Sequence, residues 1–353
     1  MILQPGAGPI RSSTYLPAAP DTVLWGRLPC AGDAPALSVQ PGTEVTFDTV
    51  SHEGILEDQG RDPERFFGAH GAGEVLRDAV AIAASDLPRT FGVDGPHVVS
   101  RPVRVEGARP GDLLAMTLVE ALPRVPYGVI SNRHGRGCLA GEYPLEAAAC
   151  FSAFATVSED GTHGRLPLRP GEEPRVSFPL APFLGIMGVA VAGDDRPHSV
   201  PPGPHGGNLD INLLTAGSTL YLPVQVDGAL AYVGDPHFAQ GCGEVSLTAM
   251  EASLRATVRL DVVPREEAVR RFGELAGPLA ETGEHLVPTG LDEDLDVAVQ
   301  NCVRAAIALL GAAYGMDPAL AYAYLSAATD FEISQVVDVV KGAHARIRKS
   351  DFS

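Results

Sequence analysis

Apolar and polar residues alternate with a period of two over long stretches of the chain, the signature of half-buried β-strands. The run ALSVQPGTEVTFDTV (36–50) places a Pro-Gly turn between two β-rich segments and leads directly into Ser51-His52-Glu53-Gly54. The run PHVVSRPVRVEGARPGDLLAMTLVEALP (96–123) repeats that grammar around a second Pro-Gly pair. Sheet segments are expected again within 151–192, and STLYLPVQV (218–226) and GALAYVG (228–234) are joined by an Asp-Gly hairpin signal. EVSLTAMEASLRATVRLDVV (244–263) is β-rich, with alternation near its end.

Helical periodicity is rarer. Residues 57–86, polar and then Ala-rich, predict one helix closed by Pro88. Two more are predicted late, DEDLDVAVQNCVRAAIALLGAAYG (292–315) with Gly315 past its end, and DPALAYAYLSAATD (317–330) with Pro318 in its first turn. Residues 126–150 read as a Gly-rich loop and the Pro-rich residues 1–21 as an extended segment over the surface. The expected organisation is therefore 1–21 extended, 22–192 β-rich with a helical excursion near 57–95, and 193–353 β-rich with a closing α/β segment. The expected fold class is mainly β with a smaller α/β part.

Composition narrows the function. With 26 Lys and Arg against 44 Asp and Glu, the net charge of −18 disfavours a nucleic-acid or anionic-membrane partner. The two lysines, Lys341 and Lys349, both lie in the last thirteen residues. Mechanisms that need a lysine inside the fold, such as Ser–Ser–Lys or Glu–Lys–Cys amidases and Schiff-base chemistry, are disfavoured accordingly. Five widely spaced cysteines with no C-x-x-C pair do not form a disulfide framework. No basic-then-apolar leader is evident at the start, and the expected location is cytoplasmic.

The densest set of metal-capable residues lies between 205 and 244: PHGGNLD (204–210), GDPH (234–237) and QGCGE (240–244). Imidazoles and carboxylates together suit zinc or another divalent first-row ion. A returning hairpin is expected to bring His205 and Asp210 near Asp235 and His237.

These blocks, with LTAGSTLYLPV (214–224), VGDPHFAQGCGE (233–244), VEGARPGDLL (105–114) and ISQVVD (333–338), resemble the acetamidase/formamidase family over roughly residues 22–353. The resemblance implies a sandwich- and barrel-like β fold and a homo-oligomer. It also implies hydrolysis of a small neutral amide, or opening of a small lactam, with zinc or calcium associated. On this basis His205, Asp210 and His237 are the expected metal ligands. Glu244 is the expected general acid/base, with Asp235 able to exchange roles with it and His52 a further acid/base or ligand candidate. His97, Gly206, Gly207 and Asn208 are expected to face substrate. Three departures surround this site: Cys242 where the family usually has an acid, Pro236 where glycine is commoner, and Ile211-Asn212-Leu213 in place of a more charged run. Cys242 reads as a small buried hydrophobe, with thiolate ligand or nucleophile as the alternative. The other six histidines, 70, 134, 163, 198, 285 and 344, read as surface or loop residues. The competing class is a cupin-like metal-binding β-barrel, acting as oxygenase, isomerase or binding module. It wants a His-x-His pair ahead of its Glu, and the chain offers only His237.

Overall fold

A computed structural model describes residues 2–145 and 148–352; Met1 of the expected N-terminal segment and residues 146–147 of the Gly-rich stretch lie outside the described residues. The predicted alternation becomes two large sheets. One has nine strands, including Thr43–Asp48, Leu254–Val263, Leu113–Pro123 and Thr219–Pro223 in that order. The other has twelve, with Tyr127–Arg133, Met250–Glu251, Ala231–Ala239, Phe183–Val189 and Gly206–Asn208 consecutive along it. Strands from before and after residue 192 interleave in both sheets.

The period-two pattern explains the layering. In Leu113–Pro123, Leu114, Met116 and Leu118 enter a core shared with Leu184, Met187 and Val189 of the twelve-stranded sheet. The alternate residues Leu113 and Ala115 face the other way, into a core with Leu309, Leu310 and Leu325. The nine-stranded sheet is therefore covered by a sheet on one face and by helices on the other.

The late helices form as expected. Leu295–Tyr314 is capped by Asp294, whose carboxylate accepts from Asp296 N and Val297 N, and ends at Gly315 in the left-handed region (φ 66°). By length and composition this helix could also cross a membrane, but it packs Ala298, Cys302, Ala306, Leu309 and Leu310 inward. Pro318–Ala328 begins on its proline.

Several expectations need correction. The excursion holds two short helices, Pro63–Gly68 and Arg77–Ala83, in place of one. A helix at Arg265–Phe272 was not expected. Tyr127–Arg133, inside the supposed loop, is a strand paired with Cys150–Val157, its alternation masked by Gly128 on one face and Ser131 on the other. The N-terminal segment is tied down: the buried Arg255 donates to Gln4 O, Ala7 O and Pro9 O, and Arg124 donates to Leu3 O. The Asp-Gly hairpin does not form, because Thr219–Pro223 pairs in the nine-stranded sheet and Ala231–Ala239 in the twelve-stranded one. Gly228 (φ 81°) instead turns the chain from one sheet to the other.

Candidate metal centre and cleft

The site residues converge because the Phe183–Val189 strand lies between two others. It pairs with Gly206–Asn208 on one side and with Ala231–Ala239 on the other, matching Phe183 to His237 and Ile186 to Gly234. Asp210, just past the first neighbour, and Asp235 and His237 on the second therefore meet across Gly185. A Cβ at Gly185 would stand 2.5 Å from Asp210 Oδ1 and 2.6 Å from both Asp235 Oδ2 and His237 Cε1. Only glycine leaves that space open, and the sequence reading missed it.

Glu251 enters by pairing with His237 across the Met250–Glu251 strand. Its Oε1 and Asp235 Oδ2 each lie 3.0 Å from His237 Nε2. On the other side of Asp235, His52 Nδ1 approaches Oδ1 to 3.5 Å and His97 Nε2 approaches it to 3.8 Å. Three overlapping donor groups result: His52–His97–Asp235, Asp235–His237–Glu251 and Asp210–His237–Glu244. Glu251 and Asp338 were not foreseen. A lone acid inside the apolar TAMEASL run was the available signal for Glu251.

Gln240 orients this cluster. Its Nε2 donates to Asp210 O at 2.8 Å and to Ser334 O at 3.2 Å, so its Oε1, 3.1 Å from His237 Nδ1, is an acceptor. That places the imidazole proton on Nδ1 and turns Nε2 toward the carboxylates, the arrangement of an oriented metal-binding histidine. Glu53 is held by Ser131 Oγ at 2.6 Å and Arg133 Nη1 at 3.2 Å, behind His52. Asp210, Asp235 and Glu244 all have left-handed backbone, with φ of 51°, 49° and 47°. Non-glycine residues in that region cost of order 1–3 kcal/mol each and cluster at functional sites.

Electrostatics separates the acids. Burial, then Asp338 and Asp235, push the Asp210 carboxyl well above its usual value. Burial, reinforced by Asp210, does the same for Glu244, and burial with Glu244 does so for Asp338. Asp235 is also buried, but His237 and His52 outweigh that and hold it well below. Burial depresses His97 to about 3, whereas Asp235 and Glu53 overcome burial and raise His52 to about 10. A divalent cation fits this donor set. Buried and without hydrogen-bond partners are Asp210 Oδ1 and Oδ2, Asp235 Oδ1, Glu251 Oε2 and Asp338 Oδ2, a concentration of carboxylate oxygens that protein donors leave unsatisfied, with His237 Nε2 beside them.

The cluster floors a cleft of about 560 Å³ lined by His52, His97, Asn208, Asp235, Glu244, Glu251 and Asp338, among others. Asn208 Oδ1 is buried and unpartnered there. His198, expected at the surface without site character, also lines the cleft. Gly206 and Gly207 do not; a Cβ at Gly206 would lie 2.4 Å from Met187 O, so it allows close strand approach. His205 belongs to no donor group among the described residues. The Gly203–Gly206 bridge turns it away, and its ring lies beside Gly203 and Gly207, where burial lowers it to about 4. Cys242 is exposed, contrary to its reading as a buried hydrophobe. His344, read as a surface residue, is fully buried.

The acetamidase/formamidase family profile matches residues 81–194 and 192–347, well over half of the chain. An acetamidase from Mycolicibacterium smegmatis is 29% identical over 202 residues, covering 42% of this chain and 49% of the relative. A formamidase from Methylophilus methylotrophus is 27% identical over 236 residues, covering 54% and 57%. The matched region thus spans about half the length of these curated relatives. The crystal structure of an acetamidase from Bacillus halodurans superposes with a TM-score of 0.72 at 26% identity, covering 95% of this chain and 98% of that one.

Proposed function

Starting from a chain that belongs to the acetamidase/formamidase family, we propose that it hydrolyses the C–N bond of a small linear amide or lactam, releasing a carboxylate and ammonia or an amine. The observation that carries this reading is the buried, unsatisfied carboxylate–imidazole cluster at the floor of the cleft. Asp210, Asp235, His237 and Glu251 would hold a divalent ion, with zinc the choice that best suits mixed imidazole and carboxylate donors. Such an ion, when bound, polarises a carbonyl and brings the pKa of water toward about 7.

The chain's own groups supply the rest. Asp235, held in its charged form, suits a ligand, and this favours Glu244 over Asp235 as the proton carrier. Glu244 lines the cleft and is biased toward its protonated form, which suits a proton shuttle to the departing nitrogen. Asn208 Oδ1 offers the amide N–H an acceptor, and occupation of the cleft excludes water from the pair. His97, kept neutral by burial and paired through Nδ1 with Ser199 Oγ at 3.0 Å, frames the opposite wall beside His52. A homo-oligomer in the cytoplasm is the working form this reading carries.

Glu244→Gln tests the assignment. Turnover of formamide, acetamide or a small lactam is expected to fall by about 10²–10⁴-fold with bound metal unchanged by elemental analysis. Wild-type turnover in Glu244→Gln would remove Glu244 from the chemistry.

A further inference from the structure

Three side chains that the proposed hydrolysis leaves unused meet outside the cleft. Cys242 Sγ lies 3.8 Å from Glu332 Oε2, and His344 Nε2 lies 3.3 Å from that same oxygen. All three donor atoms fall within 4.8 Å of one another, and none of these residues lines the cleft. With zinc bond lengths of about 2.3 Å to sulfur and 2.0 Å to nitrogen or oxygen, tetrahedral ligands stand about 3.5 Å (S to O) and 3.3 Å (N to O) apart. The sulfur–oxygen and nitrogen–oxygen separations therefore suit one ion, with the sulfur and the imidazole nitrogen within 4.8 Å of each other.

The surrounding groups orient each donor. His344 is fully buried, and its Nε2 has no hydrogen-bond partner. Its Nδ1 pairs with Ser334 Oγ at 2.8 Å, which aims Nε2 at Glu332. Arg346 Nη2 holds Glu332 Oε1 at 2.8 Å and leaves Oε2 facing Cys242 and His344. Asn212 stands beside the sulfur, its Nδ2 3.5 Å away. These are the outer contacts that position ligands in metal sites. A thiolate and a carboxylate together neutralise a divalent charge, and a sulfur–imidazole pair selects zinc over calcium. Cys242 is exposed, so an ion can enter from solvent.

We propose that Cys242, Glu332 and His344 form a second divalent-cation site of zinc type, separate from the cluster at the cleft. The site spans two parts of the chain that the backbone already joins: Gly243 N donates to Ser334 O at 3.0 Å and Val336 N to Gly243 O at 3.1 Å. An ion there staples the loop bearing Glu244 to the Asp330–Gln335 and Lys341–Arg348 strands.

Cobalt titration of the full, metal-stripped chain tests this independently of activity and of occupancy at the cleft. The expected result is a thiolate-to-cobalt charge-transfer absorption in the near ultraviolet. Cys242→Ser should abolish it together with one equivalent of bound metal. Glu332→Gln, at a half-buried position, should weaken cobalt binding by more than the roughly 10–100-fold that loss of an outer contact costs. Absence of the absorption in the wild type, or its survival in Cys242→Ser, would overturn the proposal. So would an absorption that Glu332→Gln leaves untouched, because a lone surface thiol would then be the binder.

Discussion

Gly185 shows how much of the site depends on a single missing carbon. Its position lets two carboxylates and an imidazole share one space, so Gly185→Ala should lose the metal and turnover together, with a stability cost of about 1–3 kcal/mol from overpacking. Metal content equal to wild type in Gly185→Ala would contradict the cluster as the binding site. His205 supplies the reverse test: because it joins no donor group, His205→Gln should keep the full complement of metal. The chain's motifs exposed Asp210, Asp235, His237, Glu244, His52 and His97 to inspection, since each sits in a polar or Gly-rich block. They misplaced His205, because side-chain direction across the 203–207 turn depends on which strand Gly206 approaches. Glu251 reaches the site by pairing beside His237, marked in the sequence only as a lone acid in an apolar run, and Asp338 comes from the bend after Asp330–Gln335.

At the scale of elements, the alternating runs identified most of the long strands, and cap chemistry located the late helices. Asp294→Ala should cost about 1 kcal/mol in urea unfolding by removing the acceptor of two backbone N–H groups. Leu310→Ala, at the packed helix–sheet core, should cost about 2–5 kcal/mol. Equal midpoints for the two variants would contradict the layering described. What the pattern did not reveal is strand partnership. Gln40-Pro41-Gly42, Pro110-Gly111 and Asp227-Gly228 all look like hairpin turns, yet each joins strands that belong to different sheets. A turn signal specifies a local reversal, whereas the choice of neighbour is settled by the two faces each strand must bury.

For the whole molecule, the imidazoles that burial lowers contribute to the acid decline of stability. His205 is held to about 4 by burial, below its unfolded value near 6.5, so the unfolded chain binds a proton that the folded chain refuses. Its contribution is present above about pH 6.5 and is lost as pH falls toward 4, on the order of 3 kcal/mol at full protonation. His97 and His344, depressed to about 3 and about 4, add to the same limb. Urea midpoints measured across that range should show a shallower acid decline in His205→Gln than in the wild type; parallel curves would remove His205 from the account.

The proposed chemistry is amide hydrolysis in the cleft with a metal held by its buried acids and imidazoles. Its most direct test is ammonia release from a panel of small amides, with ring opening followed for lactams, before chelation, after it, and after zinc is restored. Release that disappears on chelation and returns with zinc is the predicted result. Release unaffected by complete removal of metal, or none from any substrate with metal present, would contradict it.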